Sequence, residues 1–287
     1  MSKSSTFWQS MVCWLCVAVG VFWALVGIPV LGWIPPVLPL VSIPIALILG
    51  IGRYGARGTL VYWLAAMVIS SIFENLSVLT GFPFGHYHYT IGPKLFLVPL
   101  FIAPVYASFG FICWSIALTL LDDADRRLRR AANIILLPII AGAVMTMWDL
   151  VTDAEASTVR QTWVWEQGGR YFGVPETNFL GWWLVTYLFF QCFALYLRFA
   201  NKQIAKPRGY FDTFPPIILY GVMGINVLVD FAVNRDRAVK DATGTIWHVT
   251  GIVGPMAVVT LFTMIFVTIL ASHRAAGPSQ LRNRGTS

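Results

Sequence analysis

Apolar stretches recur along the chain at roughly 11–28, 36–52, 59–80, 95–121, 131–151, 179–200, 214–234 and 246–271. A helix rising 1.5 Å per residue needs about 20 apolar residues to cross the hydrocarbon of a bilayer. The pattern therefore predicts an all-α, polytopic membrane bundle of about eight spans. The second stretch carries Pro35, Pro36, Pro39 and Pro44, which makes it a kinked span or a re-entrant segment. Without that crossing the count is seven. The first stretch is taken as a span and not a cleaved leader, because only Lys3 precedes it and no small-x-small site follows. Residues 1–272 are expected to form one transmembrane domain, followed by a short basic tail over 273–287.

Polar positions inside these stretches carry the chemistry. Glu74, Asp149 and Asp230 lie in or at the ends of apolar runs, where an ionisable side chain costs at least ~2.5 kcal/mol on insertion scales and usually faces a cavity. Asp149 and Asp153 are four residues apart, on one face of a helix, and Asn226, Asp230 and Asn234 form a polar stripe at the same spacing. Glu74, Asp149 and Asp230 are expected to share one pocket.

Composition agrees with the membrane class. Hydrophobic residues are 57% of the chain, charged residues 11% and aromatics 15%, too little polar surface for a soluble domain of this size. With eight spans and the amino terminus inside, the inner ends hold Lys3, Arg53, Arg57, Arg126, Arg127, Arg129, Arg130, Arg198, Lys202, Lys206, Arg208, Arg274, Arg282 and Arg284, leaving six basic residues outside. This bias predicts a multi-pass protein of the cell (inner) membrane with both termini cytoplasmic. The net charge of +7 is then a basic rim facing anionic lipid, and no nucleic-acid partner is expected. Carboxylates show the opposite bias: Glu74, Asp149, Asp153, Glu155, Glu166, Glu176, Asp230, Asp236 and Asp241 all map to the outer half or outer loops. Cys13, Cys16, Cys113 and Cys192 fall within spans and are read as apolar packing.

Two connecting segments are unlike ordinary loops. Thr80-Gly-Phe-Pro-Phe-Gly-His86-Tyr87-His88-Tyr89 sets turn-forming glycines beside aromatics and two imidazoles. The second runs from Trp163-Val-Trp165 through Glu176 and Asn178 to Trp182-Trp183. Trp163 and Trp165 are expected to wall a substrate, whereas Trp182 and Trp183 are equally open to an interfacial-belt reading. His86-x-His88 with Glu74 and the aspartates has the ligand types for zinc or iron, but four histidines are far fewer than membrane di-iron enzymes use, so no metal is expected. There is no nucleotide-binding fingerprint, and no cofactor is expected.

What remains is acid chemistry in an apolar cavity. A buried carboxylic acid keeps its proton near neutral pH and can give it to an alkene, and aromatic faces stabilise the resulting cation. The blander reading is that these polar groups merely satisfy one another between helices.

The run Glu74…Thr80-Gly-Phe-Pro-Phe-Gly-His-Tyr-His-Tyr-Thr90, then Pro99…Pro104, Trp148-Asp-Leu-Val-Thr-Asp153, and Trp163-Val-Trp165…Gly173-Val-Pro-Glu-Thr-Asn-Phe-Leu-Gly-Trp182 resembles the CruF-type carotenoid biosynthesis proteins, which include carotenoid 1',2'-hydratases and bisanhydrobacterioruberin hydratase. The likeness covers roughly residues 60–185. It departs from the family pattern in one extra residue between Pro175 and Asn178, and in Ala154-Glu155 where a proline usually follows. The resemblance implies water addition to the terminal double bond of an acyclic, lycopene- or gamma-carotene-like carotenoid, in the lipid bilayer and in association with other carotenoid enzymes. Asp149 and Asp153 are the leading acid–base pair, Glu74 and Asp230 its neighbours. His86, Tyr87, His88, Tyr89 and Asn178 are expected to orient water or the carboxylates, Trp163 and Trp165 to line the end-group pocket, and Trp148, Glu176, Trp182, Asn226 and Asn234 to be further substrate-binding residues. A membrane terpene cyclase and a non-catalytic carotenoid- or lipid-binding or transport protein are the alternatives. No internal repeat of the transporter kind is evident.

Overall fold

The computed structural model describes residues 3–27, 37–200, 204–205 and 209–277. Pro35, Pro36, Lys202, Lys206, Arg208, Arg282 and Arg284, used above to weigh the second span and the charge bias, lie outside the described residues. Among the described residues, seven helices are long and apolar enough to cross a membrane. The helices are α1 (Lys3–Phe22), α2 (Val37–Thr80), α3 (Ile102–Leu120), α4 (Ala131–Ala154), α5 (Glu176–Phe199), α6 (Tyr210–Val233), α7 (Val249–Thr260) and α8 (Phe266–Ala276), the last two joined by a π-helical turn. Among the described residues the bundle is all-helical but for three short antiparallel ladders, which pair β1 (Tyr87–Tyr89) with β4 (Trp163–Trp165), β2 (Lys94–Leu95) with β3 (Val98–Pro99), and β5 (Ala238–Lys240) with β6 (Ile246–His248).

The second and third apolar stretches form the single helix α2, broken at Gly55 (φ 71°, ψ 169°). That φ is readily reached only without a Cβ. The break reverses the chain: a Cβ on Gly50 would lie 3.0 Å from Thr59 Cγ2, whereas nine residues of continuous helix would separate them by about 13.5 Å. Thus 37–54 and 56–80 are the arms of a helical hairpin, which accounts for the two stretches read in the sequence. The fourth stretch starts later than expected. Residues 94–99 form the β2–β3 hairpin, because Pro93 and Pro99 lack the N–H a helix needs and Phe96 sits at φ 56°.

Contacts at the Gly55 turn define one face of the bundle. Arg53 forks onto Asp125 through Nε and Nη2, both at 2.7 Å, and reaches Asp123 at 2.8 Å. Tyr54 Oη donates to Asp125 at 2.7 Å and accepts from Trp114 Nε1 at 2.8 Å. Arg198 donates to the Leu128 carbonyl at 3.0 Å, and Arg274 pairs with Asp122. Asp125 is fully buried, and removing one partner of such a pair typically costs ~3–5 kcal/mol. These bonds tie the Gly55 turn to the ends of α3, α5 and α8 on one face, and β1–β4 and β5–β6 lie at the other ends of the bundle helices.

Basic residues concentrate on the Gly55 face, the side that the positive-inside rule expects in the cytoplasm. In a background lacking the four native cysteines, exposed Gln167→Cys should react with an impermeant maleimide in intact cells, and exposed Arg126→Cys only after lysis. Labelling of both from one side would break the two-face arrangement, and the reverse pattern would invert it.

Candidate active site

The two unusual segments of the sequence fold against each other. Ser77, one helical turn beyond Glu74, donates from Oγ to the Gly85 carbonyl at 2.9 Å and accepts from Phe84 N at 3.1 Å. Thr177 at the start of α5 donates to the Phe84 carbonyl at 2.9 Å. Gly181 permits this approach, since a Cβ there would lie 2.6 Å from Phe84 Cδ1. The 80–85 turn thus pins the end of α2 to the first turns of α5, and with them the level of Asn178.

The turn leads into β1, which pairs Tyr87 with Trp165 and Tyr89 with Trp163. Alternation along a strand sends neighbouring side chains to opposite faces. Tyr87 and Tyr89 are buried inward, and His88 points outward, half exposed, 3.3 Å from Glu166.

Below this ladder is a cavity of about 160 Å³ lined by Glu74, Tyr87, Tyr89, Tyr106, Trp148, Asp149, Asp153, Trp163, Trp165, Asn178, Trp182, Asn226 and Asp230, with Met223, Val253 and Met256 among its apolar lining. Asn178, 1% exposed, donates both hydrogens of its amide, to Asp149 Oδ2 at 2.7 Å and to Asp153 Oδ2 at 2.5 Å. Trp163 and Trp165 both donate to Asp153 Oδ1, at 3.1 and 3.2 Å. Three N–H donors therefore converge on Asp153 and one on Asp149.

Glu74 occupies a second clamp. Tyr106 donates to Oε1 at 2.8 Å, Tyr89 to Oε2 at 2.9 Å, and Tyr87 also to Oε2. Burial pushes the Tyr87 and Tyr89 phenols well above their usual range, and the Glu74 charge adds to it, so both stay protonated donors. The wall is aromatic: Trp182 stacks on Tyr106 with centroids 4.5 Å apart, and its edge meets Trp148 at 5.9 Å.

Asp230 is held differently from the other carboxylates. Arg160 Nη2 bonds Asp230 at 3.1 Å, and Arg160 Nε pairs with Glu155, so a guanidinium joins two carboxylates at the cavity margin.

Four sequence candidates lie outside the cavity. His86 packs against Gly81, and His88 faces away by the strand alternation. Glu176 is 62% exposed near Arg170, since the first turn of α5 points it away from Asn178. Asn234 caps α6, its side chain donating to the Asp230 carbonyl at 3.0 Å. The tryptophan pair divides: Trp182 lines the cavity, whereas Trp183 is 41% exposed and donates to the Ile139 carbonyl at 3.2 Å. The sequence reading missed Tyr106, Glu155 and Arg160. Tyr106 is one phenol in an apolar helix and gave no periodic signal. Among the described residues, no three His, Cys, Asp or Glu side chains are grouped as a metal ion would require.

An apolar helical bundle with a buried, carboxyl-bearing cavity at one end defines a multi-pass membrane protein equipped to act on a hydrophobic molecule. The chain belongs to the carotenoid biosynthesis protein family, whose model matches residues 32–240, a stretch that contains every residue of the clamps described above. Neither curated proteins nor solved structures give a match to the chain.

Proposed function

We propose that the protein is a carotenoid hydratase, adding water across the terminal C1'–C2' double bond of an acyclic carotenoid end group. One observation carries the reading: two buried carboxyl groups are tied to a single amide inside an apolar, aromatic cavity. Asp153 faces three N–H donors, which suits an ionised carboxylate. Among the described residues Asp149 accepts from Asn178 alone, which leaves an oxygen to carry a proton.

In this mechanism Asp149 gives its proton to C2', and the π electrons of the double bond form the new C–H bond. The tertiary cation left at C1' lies among Trp148, Trp182 and Tyr106, whose ring faces favour positive charge, with the clamped Glu74 as counter-ion. Water adds to C1' and loses one proton to Asp153, giving a tertiary alcohol. The proton then passes from Asp153 to Asp149, directly or through solvent, and restores the pair. No redox change occurs.

Expression in cells that make lycopene should yield pigment heavier by one water per reacted end. A cyclised product of unchanged mass would make the protein a cyclase, and unchanged pigment would leave binding or transport. Purified protein should convert substrate in EDTA, without oxygen and without nucleotide. Activity lost on chelation and restored by one metal would overturn the mechanism.

A further inference from the structure

The acid–base pair does not account for the opposite wall of polar groups, on α6. Asn226 lines the cavity, and among the described residues its side-chain Oδ1 is buried without a hydrogen-bond partner. Leaving a buried acceptor unmet forfeits its hydration without return, so such an atom usually faces water or a ligand hydroxyl.

Helix geometry sets its depth. Tyr220 Oη of α6 donates to the Val144 carbonyl of α4 at 2.8 Å, and the two helices run in the same direction. Six residues on from Tyr220 is Asn226, about 9 Å higher, and five on from Val144 is Asp149, about 7.5 Å higher. Asn226 and Asp149 therefore lie at one level. Ten residues on is Asp230, and eleven on is Glu155, also at matching levels, where Arg160 joins them. That ion-paired rim, with Arg160 24% exposed, is a polar margin directly above Asn226.

We propose that Asn226 Oδ1 binds the reacting water, which enters past the Glu155–Arg160–Asp230 rim; this rests on the hydration reading above. The water donates one hydrogen to Oδ1 and keeps a lone pair for C1'. A neutral acceptor suits the task, because it fixes the water without taking its proton. Glu155 and Asp230 are engaged by Arg160, so the proton released on attack goes to Asp153. The bond formed is C1'–O, and the bond broken is the O–H facing Asp153.

The test separates protonation from water capture. In D2O, a cation that escapes water loses a proton and returns as alkene carrying deuterium. Full-length purified protein with lycopene as probe should be assayed for hydrated product and for deuterium in recovered lycopene. Asn226→Leu should keep the exchange and lower the ratio of hydration to exchange by about tenfold or more, the loss of one hydrogen bond. Asn226→Ser, which keeps an oxygen, should fall between. If the leucine variant is inactive, the serine ratio decides. A wild-type ratio in the variants, or exchange and hydration falling in parallel in both, overturns the water site. Wild type that makes no hydrated product refutes the hydration reading itself, and the water site with it.

Discussion

Asp149→Asn and Asp153→Asn are each expected to lose about 10²- to 10⁴-fold in turnover, the range a positioned acid or base contributes. Neither amide can carry a proton to an alkene or take one from water at neutral pH. The two variants should differ in stability, because their hydrogen-bond surroundings differ. An amide at 149 can turn its oxygen to Asn178 and keep the one bond Asp149 has. An amide at 153 has one oxygen for the donors Asn178, Trp163 and Trp165. At least one N–H then meets an NH2 group, at a cost of about 1–3 kcal/mol. Thermal unfolding in detergent should therefore show Asp153→Asn clearly less stable than wild type and Asp149→Asn close to it. Wild-type turnover in both variants would remove the pair from the mechanism. Lost turnover with the stability order reversed would mean the roles of the two aspartates are exchanged.

What could be read from the sequence follows periodicity. The four-residue spacing of Asp149 and Asp153 placed both on one helix face, and the structure sets both in the cavity. Glu74 and Asp230 were legible because charge inside apolar runs is costly. The strand 87–89 was harder. Helical or loop spacing would set Tyr87, His88 and Tyr89 together, and only a two-residue period divides the tyrosines from the histidine. Its partner, Trp163–Trp165, is more than 70 residues away, so no local pattern announces the pairing. Tyr106 was invisible for another reason: a phenol within an apolar helix reads as core until Glu74 is seen within 2.8 Å of it. Arg160 was counted among the outer basic residues, and nothing in its neighbourhood in sequence points to Asp230, seventy positions on. The hairpin at Gly55 was half legible. The apolar runs on each side were counted as separate spans, but the reversal rests on one residue's φ.

The clamp on Glu74 yields the second large effect. Three phenols donate to one carboxylate, and bonds to a charged group are worth about 1.5–3 kcal/mol each. Glu74→Leu would orphan all three hydroxyls and is expected to fold poorly. Glu74→Gln is the informative change. Its oxygen can still accept from Tyr87 and Tyr89, and its NH2 can donate to Tyr106, whose hydroxyl then turns to accept. The cavity keeps its shape but loses the negative charge facing the cation. If Glu74 acts as counter-ion, Glu74→Gln should fold, bind carotenoid as wild type does, and lose at least about tenfold in turnover, about 1.4 kcal/mol in the barrier. Tyr106→Phe keeps the charge and removes one donor, so it should lose less. Turnover of Glu74→Gln equal to wild type would reduce the clamp to packing. A complete loss with Tyr106→Phe unaffected would instead make Glu74 the proton donor, and Asp149 its neighbour.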